Sequence, residues 1–296
     1  MAGSIRGCAM TEVTARGLWA DAWRRLRRNR ASLFAVCFIL LLTLFAFIGP
    51  HLSPHAFDTL DWENMTVGLG GPNNHWLGTD RLGRDLFVRT MTGVQLSLQI
   101  ALLATVVSFV IGITYGAIAG FVGGRVDDLM MRFVDVLYSM PYIFIVIILS
   151  TFIDRANIFA LFAAIGAVGW LTMARIVRGQ TLSLRNREFI EAARAIGVTT
   201  PQIVARHIIP NVLGPVIVYA TLTIPQMILF ESLLSFLGLG VQEPAASLGS
   251  LITEGAKEIE SALWMLLVPG FFLVSLLVCF NLLGDGLRDA LDPRER

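Results

Sequence analysis

Residues 96–124 read "LSLQIALLATVVSFVIGITYGAIAGFVGG" and contain no Asp, Glu, Lys or Arg. An α-helix rises about 1.5 Å per residue, so about 20 apolar residues cross roughly 30 Å of hydrocarbon. Residues 96–121 meet that requirement and predict a membrane-spanning helix. Gly112, Gly116, Gly120 and Gly124 recur every four residues, giving overlapping G-x-x-x-G units. Where lipid removes the hydrophobic drive for helices to associate, such a stripe lets a second backbone approach closely. Flexibility is the plainer explanation of glycine, but the strict spacing predicts a packing seam. Its neighbour is either in this chain or in a partner.

The same scan of the 296 residues finds further apolar runs at 32–50, 133–153, 157–175, 212–237 and 263–283. The chain is 55% hydrophobic and 15% charged, where soluble domains carry about 25% charge. These features predict an all-α integral membrane protein with about six transmembrane helices. "IDRAN" at 153–157 joins the third and fourth runs as a hairpin. The predicted organisation is a segment at 1–31, a first span at 32–50, a polar segment at 51–95, a core at 96–285 with five spans, and a tail at 286–296. If the N-terminus is inside, eighteen of the 23 Lys and Arg residues fall in inner segments, so both termini are expected in the cytoplasm. The first run is longer than a usual signal h-region and lacks an A-x-A cleavage pattern after it, which favours an uncleaved anchor. Cys37 and Cys279 fall in spans and Cys8 in the inner N-terminal segment, so no disulfide framework is expected. The net charge of +1 gives no indication of nucleic-acid binding.

"LWADAWRRLRRNRAS" at 18–32 places Leu18, Trp19, Trp23 and Leu26 near helical spacing, with arginines opposite. This suits a helix at the lipid interface, or simply a basic flank. Residues 51–95 are rich in Pro, Asn and Gly and predict loop. His51, His55 and His75 lie there, but Pro54 interrupts the His51/His55 helical spacing, so no metal site is expected. Pro141, Pro225 and Pro269 fall within spans and predict kinks. Asp135 has Arg132 as a nearby partner. Glu231 lies inside the fifth span, where a carboxylate is either a structural pair or a candidate for the substrate path.

One charged, alanine-rich stretch interrupts the apolar pattern: "REFIEAARAIGVTTPQIVARHIIPN", 187–211. Asn186 is a plausible N-cap. Phe189, Ile190, Ala193 and Ile196 share a stripe, and Glu191 stands at pairing distance from Arg187 and Arg194 along a helix. Gly197 marks a helix end. Thr200 with Pro201 restarts a helix that runs to Pro210. The result is a helix–turn–helix whose apolar stripe packs on its own membrane domain, on a soluble partner, or on both. Small Ala192 and Ala193 permit close approach.

"EAARAIG", nine residues, then "HIIP" resembles the EAA signature of bacterial ATP-binding-cassette importer permeases, E-A-A-x3-G-x9-I-x-L-P. Glu191, Ala192, Ala193, Gly197 and Pro210 are in register, while His207 and Ile209 replace its Ile and Leu. "HWLGTDRLGRDLFVR", "WLTMARIVRGQTLSL", "ESLLSFLGLGVQEP" and "LGDGLRDALDPR" are similar to the peptide branch. With the N-terminal extension, the resemblance covers roughly 18–296 and is greatest to the C-type permease subunit of oligopeptide importers. It implies the type I importer permease fold in the bacterial inner membrane, with a coupling loop at about 176–211. It also implies a homologous B-type permease sharing a central path, two cytoplasmic ATPases holding ATP and Mg, and a periplasmic binding protein delivering peptide. Under that resemblance Phe189, Ile190, Glu191, Ala192, Ala193, Ile196, Gly197 and Pro210 form the ATPase-coupling element. Dipeptides or metal chelates are the alternative cargo within the family.

No catalytic residue or cofactor is expected in the chain itself. Its one lysine, Lys257, sits between Ala256 and Glu258, so the G-K-[ST] of a phosphate-binding loop is absent. An ion-coupled secondary transporter is the main rival, with Glu231 and the prolines as its machinery, but no internal repeat is evident. An intramembrane protease is weaker still: "LGDG" at 283–286 does not reproduce G-x-G-D. Asp285 is instead expected to meet Arg288.

Overall fold

The structure, a computed structural model, describes residues 18–152 and 158–291. The expected hairpin link at 153–157 and the chain ends 1–17 and 292–296 lie outside the described residues. Helix α1 (Leu18–Arg28) leads through Asn29 into α2 (Arg30–Leu52). The Asn29 side chain caps α2 by accepting from the Ala31 and Ser32 amides at 3.1 and 3.3 Å. Leu26 of α1 is buried against Ala290 near the far end of the chain, and the Arg27 guanidinium lies 5.6 Å from the Trp23 ring centre. Both ends of the described chain therefore meet at one end of the bundle.

After a connection at 53–85, α3 runs from Leu86 to Val122 over 37 residues. It begins ten positions before the apolar run. Arg89 and its polar neighbours conceal this first part from a hydropathy scan, and the Asp85 side chain caps it by accepting from the Val88 amide at 2.8 Å. Next come α4 (Gly124–Ser139), α5 (Tyr142–Phe152), α6 (Ile158–Leu184), α7 (Glu188–Ala195) and α8 (Thr200–Ile203). They are followed by α9 (Ile209–Phe236), α10 (Leu248–Lys257) and α11 (Leu263–Leu291). Among the described residues, four helices are long and apolar enough to cross a membrane: α2, α3, the α8–α9 rod Thr200–Phe236, and α11. The pair α4 and α5, bent by 90°, adds at most a fifth. The expected six is thus four or five by this criterion. The run 133–153 breaks at Met140–Pro141, and the run 157–175 begins at residues outside those described.

The glycine seam lies within the chain. A Cβ at Gly112 would stand 2.5 Å from Cβ of Met173, one at Gly116 2.9 Å from Cβ of Val177, and one at Gly120 2.8 Å from the Arg178 carbonyl. All three distances are closer than real side chains tolerate. Ser108 donates to the Gly166 carbonyl at 2.8 Å, extending the contact. The pairing advances in the same direction along both helices, so α3 and α6 are parallel. Parallel neighbours require the chain between them to travel back, and α4 and α5 do so. Gly124 is not part of the seam: it has φ +57 and open space around it, and it forms the turn into α4.

Ion pairs fasten α4 across α6. Asp127 accepts from Arg178 at 2.5 and 2.7 Å, and Asp135 accepts from Arg175 at 2.7 Å. Asp135 therefore pairs across helices rather than with Arg132. Asp285 and Arg288 are not among the ion pairs of the described residues.

The 53–85 connection is more ordered than its composition suggests. Asp80 is buried and accepts from Arg84 Nε at 2.6 Å and from Arg89, while Arg89 reaches both oxygens of Glu254 on α10 at 2.9 and 3.2 Å. Burial pulls the Arg84 pKa down, but Asp80, Glu254 and Glu243 outweigh it and the net direction is up. This network joins the entry to α3 to the α10–α11 corner.

Two outcomes follow. Gly116→Leu forces its side chain into the α6 backbone, and the yield of folded membrane protein should collapse; wild-type yield would reject the seam. Asp80→Ala leaves two buried guanidiniums undercompensated and should cost about 3–5 kcal/mol, read as a lowered thermal midpoint of the purified protein.

Candidate functional site

Three features of the EAA segment follow from its local chemistry. Helix α7 ends in a left-handed turn at Gly197, φ +83. Its Gly197 amide donates to Arg194 O at 3.0 Å and its Val198 amide to Ala193 O at 3.0 Å, the paired closure of a Schellman motif. The next helix is capped by Thr199, one residue earlier than expected; its amide donates to Gln202 Oε1 at 3.3 Å. Arg187, rather than Asn186, caps α7 and makes no side-chain capping bond. Pro210 lacks an N–H and crowds the carbonyl four residues back. The chain absorbs this with a π-helical segment, Val204–Ile208, and continues straight into α9. Residues 200–236 form one rod of 37 residues, about 55 Å long at 1.5 Å per residue.

The expected stripe divides in two. Ile190 and Ala193 are buried in the chain's own core with Ile113, Phe121, Ile203 and Ile208. Phe189 is 43% and Ile196 81% exposed, and Glu191 and Ala192 are exposed beside them. Phe189 and Ile196, seven apart, lie within about 20° of one another on one edge of the stripe, and Ile190 and Ala193 lie on the other edge, so one edge seats the helix and the other is left uncovered. The Arg187–Glu191 and Glu191–Arg194 pairs are not among the ion pairs of the described residues; Arg194 instead lies 4.9 Å from the Phe121 ring centre.

Glu231 is fully buried. Its carboxylate accepts from Ser235 at 2.8 Å and from Ser97 at 3.3 Å, and Ser97 in turn accepts from the Leu248 amide at 3.1 Å. Three groups from α3, α9 and the start of α10 thus close around it. Both carboxylate oxygens are engaged within the chain, and Glu231 is not in the wall of either cavity described below.

Two cavities stand out. One of about 290 Å³ lies between α4, α5, α6 and α9, with Tyr138, Tyr142, Thr172, Thr223, Gln226 and Phe230 in its wall. Another of about 580 Å³ lies beneath α6, α9 and α11, where Gln180, Pro210, Asn211, Tyr219 and Arg288 meet. In the 53–85 connection, His55 stacks on His75 at 4.1 Å with 16° between planes, and His75 Nδ1 is 2.8 Å from Asp85 Oδ2. The partner of His55 is His75, not His51. His55, His75 and Asp85 each place a ligand atom within 4.8 Å of the others, but the near-parallel rings keep the in-plane lone pairs of the two histidines from converging on one ion.

Residues 112–296 match the family described as binding-protein-dependent transport system inner membrane component, and residues 17–72 match the N-terminal TM domain of oligopeptide transport permease C. The chain belongs to this inner-membrane permease family. The oligopeptide transport system permease protein OppC of Haemophilus influenzae is 50% identical over 96% of this chain and 91% of its own length. That of Escherichia coli strain K12 is 52% identical over 96% and 94%. The dipeptide transport system permease protein DppC of Bacillus subtilis is 43% identical over 93% and 86%. Among solved structures, a chain of the inward-facing MetNI methionine ABC transporter superposes with a TM-score of 0.56 at 21% identity, covering 70% of this chain and 96% of that one. This likeness establishes the type I permease fold. Membership places the chain in the inner membrane and accounts for its apolar helices.

Truncation separates the two faces of α7 in this permease. Ile190→Ala should cost about 2–5 kcal/mol as a core cavity and lower the thermal midpoint. Ile196→Ala, at an exposed position, should leave stability within about 0.5 kcal/mol of wild type and the midpoint essentially unmoved.

Proposed function

We propose that the chain is the C-type permease subunit of an ATP-driven importer of oligopeptides. In this reading it forms a central path with a homologous B-type permease, and a periplasmic binding protein delivers the peptide. Two cytoplasmic ATPases bind ATP and Mg and drive the cycle. Both described chain ends lie at the same end of the bundle as the EAA loop, and this end faces the cytoplasm if the excess of basic residues there obeys the positive-inside rule.

One observation carries the coupling part of the proposal. Phe189, Glu191, Ala192, Ile196 and Gly197 form an exposed face on a helix whose opposite side, Ile190 and Ala193, is anchored in the core. A face held rigid yet left uncovered suits a soluble partner. The Schellman turn fixes its end, and Pro210 hands it on to α9 through the π-helical segment. The high identity to oligopeptide permeases favours longer peptides over dipeptides as cargo. The enclosed position of Glu231 gives an ion-coupled mechanism no accessible carboxylate there.

Gly197→Val tests this. Nothing lies within 4 Å of a Cβ at Gly197, but φ +83 disfavours a side chain, at a cost of about 1–3 kcal/mol concentrated in the turn. The expected result is reduced co-purification of the ATPases and reduced peptide uptake, with the permease pair still assembled. Unchanged ATPase binding together with unchanged uptake would overturn the coupling role. Uptake that survives ATP depletion and follows an ion gradient would overturn the ATP-driven reading.

A further inference from the structure

The 290 Å³ cavity lies where the chain departs furthest from ordinary membrane helices. Its wall includes the break at Met140 between α4 and α5, which are bent by 90°. Irregular backbone at membrane depth is tolerated where it is buried in protein or lines an aqueous space. Across the cavity, Gln226 is exposed within the apolar stretch of α9 and makes no hydrogen bond to the described residues. An amide in that position requires water, a partner or a ligand. Thr172 on α6 is likewise without a side-chain hydrogen bond, whereas Thr223 is committed to Tyr219 O at 2.8 Å and Tyr142 to Ile165 O at 2.9 Å. Unengaged hydrogen-bonding capacity in the wall therefore includes an amide and a hydroxyl from two different helices.

Among the described residues, no charged side chain lines this cavity. The charges at its rim cancel: Asp135 and Arg175 pair at 2.7 Å, and the Arg175 guanidinium stacks 4.2 Å from the Tyr138 ring centre. The remaining wall is aromatic, aliphatic and thioether, and it includes a Tyr142–Phe230 stack with centroids 4.1 Å apart. Such surfaces accept varied apolar groups with little geometric demand. A carboxamide both donates and accepts, as a peptide bond does. A charged wall would retain peptides of one sign and repel the other; this one does neither.

We propose that this cavity is the chain's contact with peptide in transit, holding the main chain through Gln226 and Thr172 without reading side-chain charge. The inference rests on the peptide-importer reading above and assigns this chain's part of the passage.

The test uses the assembled complex in vesicles with its binding protein and ATP, with assembly checked by co-purification. Gln226→Leu keeps the bulk and removes the amide. It should raise the concentration for half-maximal uptake of trialanine, trilysine and triglutamate by a common factor, about threefold to tenfold for one lost hydrogen bond. Thr172→Phe should lower uptake of triphenylalanine by about tenfold or more while trialanine stays within about twofold, because bulk added to a pocket discriminates by size. The inference is overturned if Gln226→Leu affects only one charge class or none, or if assembled Thr172→Phe leaves both peptides unchanged or slows them equally. If Thr172→Phe does not assemble, Gln226→Leu decides alone. Absence of uptake by the unsubstituted complex would remove the importer reading as well, whereas intact uptake with insensitive variants removes this inference alone.

Discussion

The close approach of α3 and α6 is the constraint on which the other features depend. Without a hydrophobic drive inside lipid, these helices are held by contact between backbones, and three glycines at four-residue intervals make that contact possible. Because the helices run parallel, the chain between them must return along the bundle. It does so in two unequal pieces, and the bend between them opens the smaller cavity. The opposite end of the same seam leads to Ile113, Ala117 and Phe121, which form the seat for α7. One helix pair thus positions both the cavity wall and the exposed helix.

The link between those two regions is covalent and stiff. The rod that begins at Thr200 beside α7 continues to Phe236 and carries Thr223, Gln226 and Phe230 in the cavity wall. Its prolines at 210, 215 and 225 do not interrupt it. At Pro210 the freed geometry is taken up by a π-helical turn, a local rearrangement that preserves the rod. A displacement of α7 that leaves this rod wound must move residues at the cavity. In the proposed coupling role the buried half of α7 is as necessary as the exposed half, since a lever needs a fixed attachment.

Much of this was legible in the sequence. The membrane class follows from long stretches without charge, and the seam from glycine spacing, although the spacing could not say that Gly124 belongs to a turn. The EAA segment was readable as helix, turn and helix because Gly197 and Pro201 are strong local signals, while capping shifted by a residue because Thr199 and Thr200 offer the same chemistry. The early start of α3 was hidden because Arg89 reads as a loop residue until Asp80 and Glu254 are brought to it. Those partners are separated by up to 165 positions, beyond what local periodicity reports. The division of the α7 stripe was equally hidden, since it depends on which residues of α3, α8 and α9 arrive beneath the helix.

Glu231 and Gln226 show why burial has to be weighed against engagement. A carboxylate inside a span attracts attention because isolation there is costly, yet at Glu231 both oxygens already accept from serine hydroxyls. Gln226, five residues earlier on the same helix, is uncharged and draws none. It nevertheless presents an unengaged amide to open space within an otherwise apolar run. In a hydrocarbon surround the group that signals function is the polar atom left without a partner at an accessible surface, whatever its formal charge. By that criterion the buried and engaged charges among the described residues, such as Asp80, Arg84, Arg89 and Glu231, point away from the passage, and the proposed contact lies along the neutral wall.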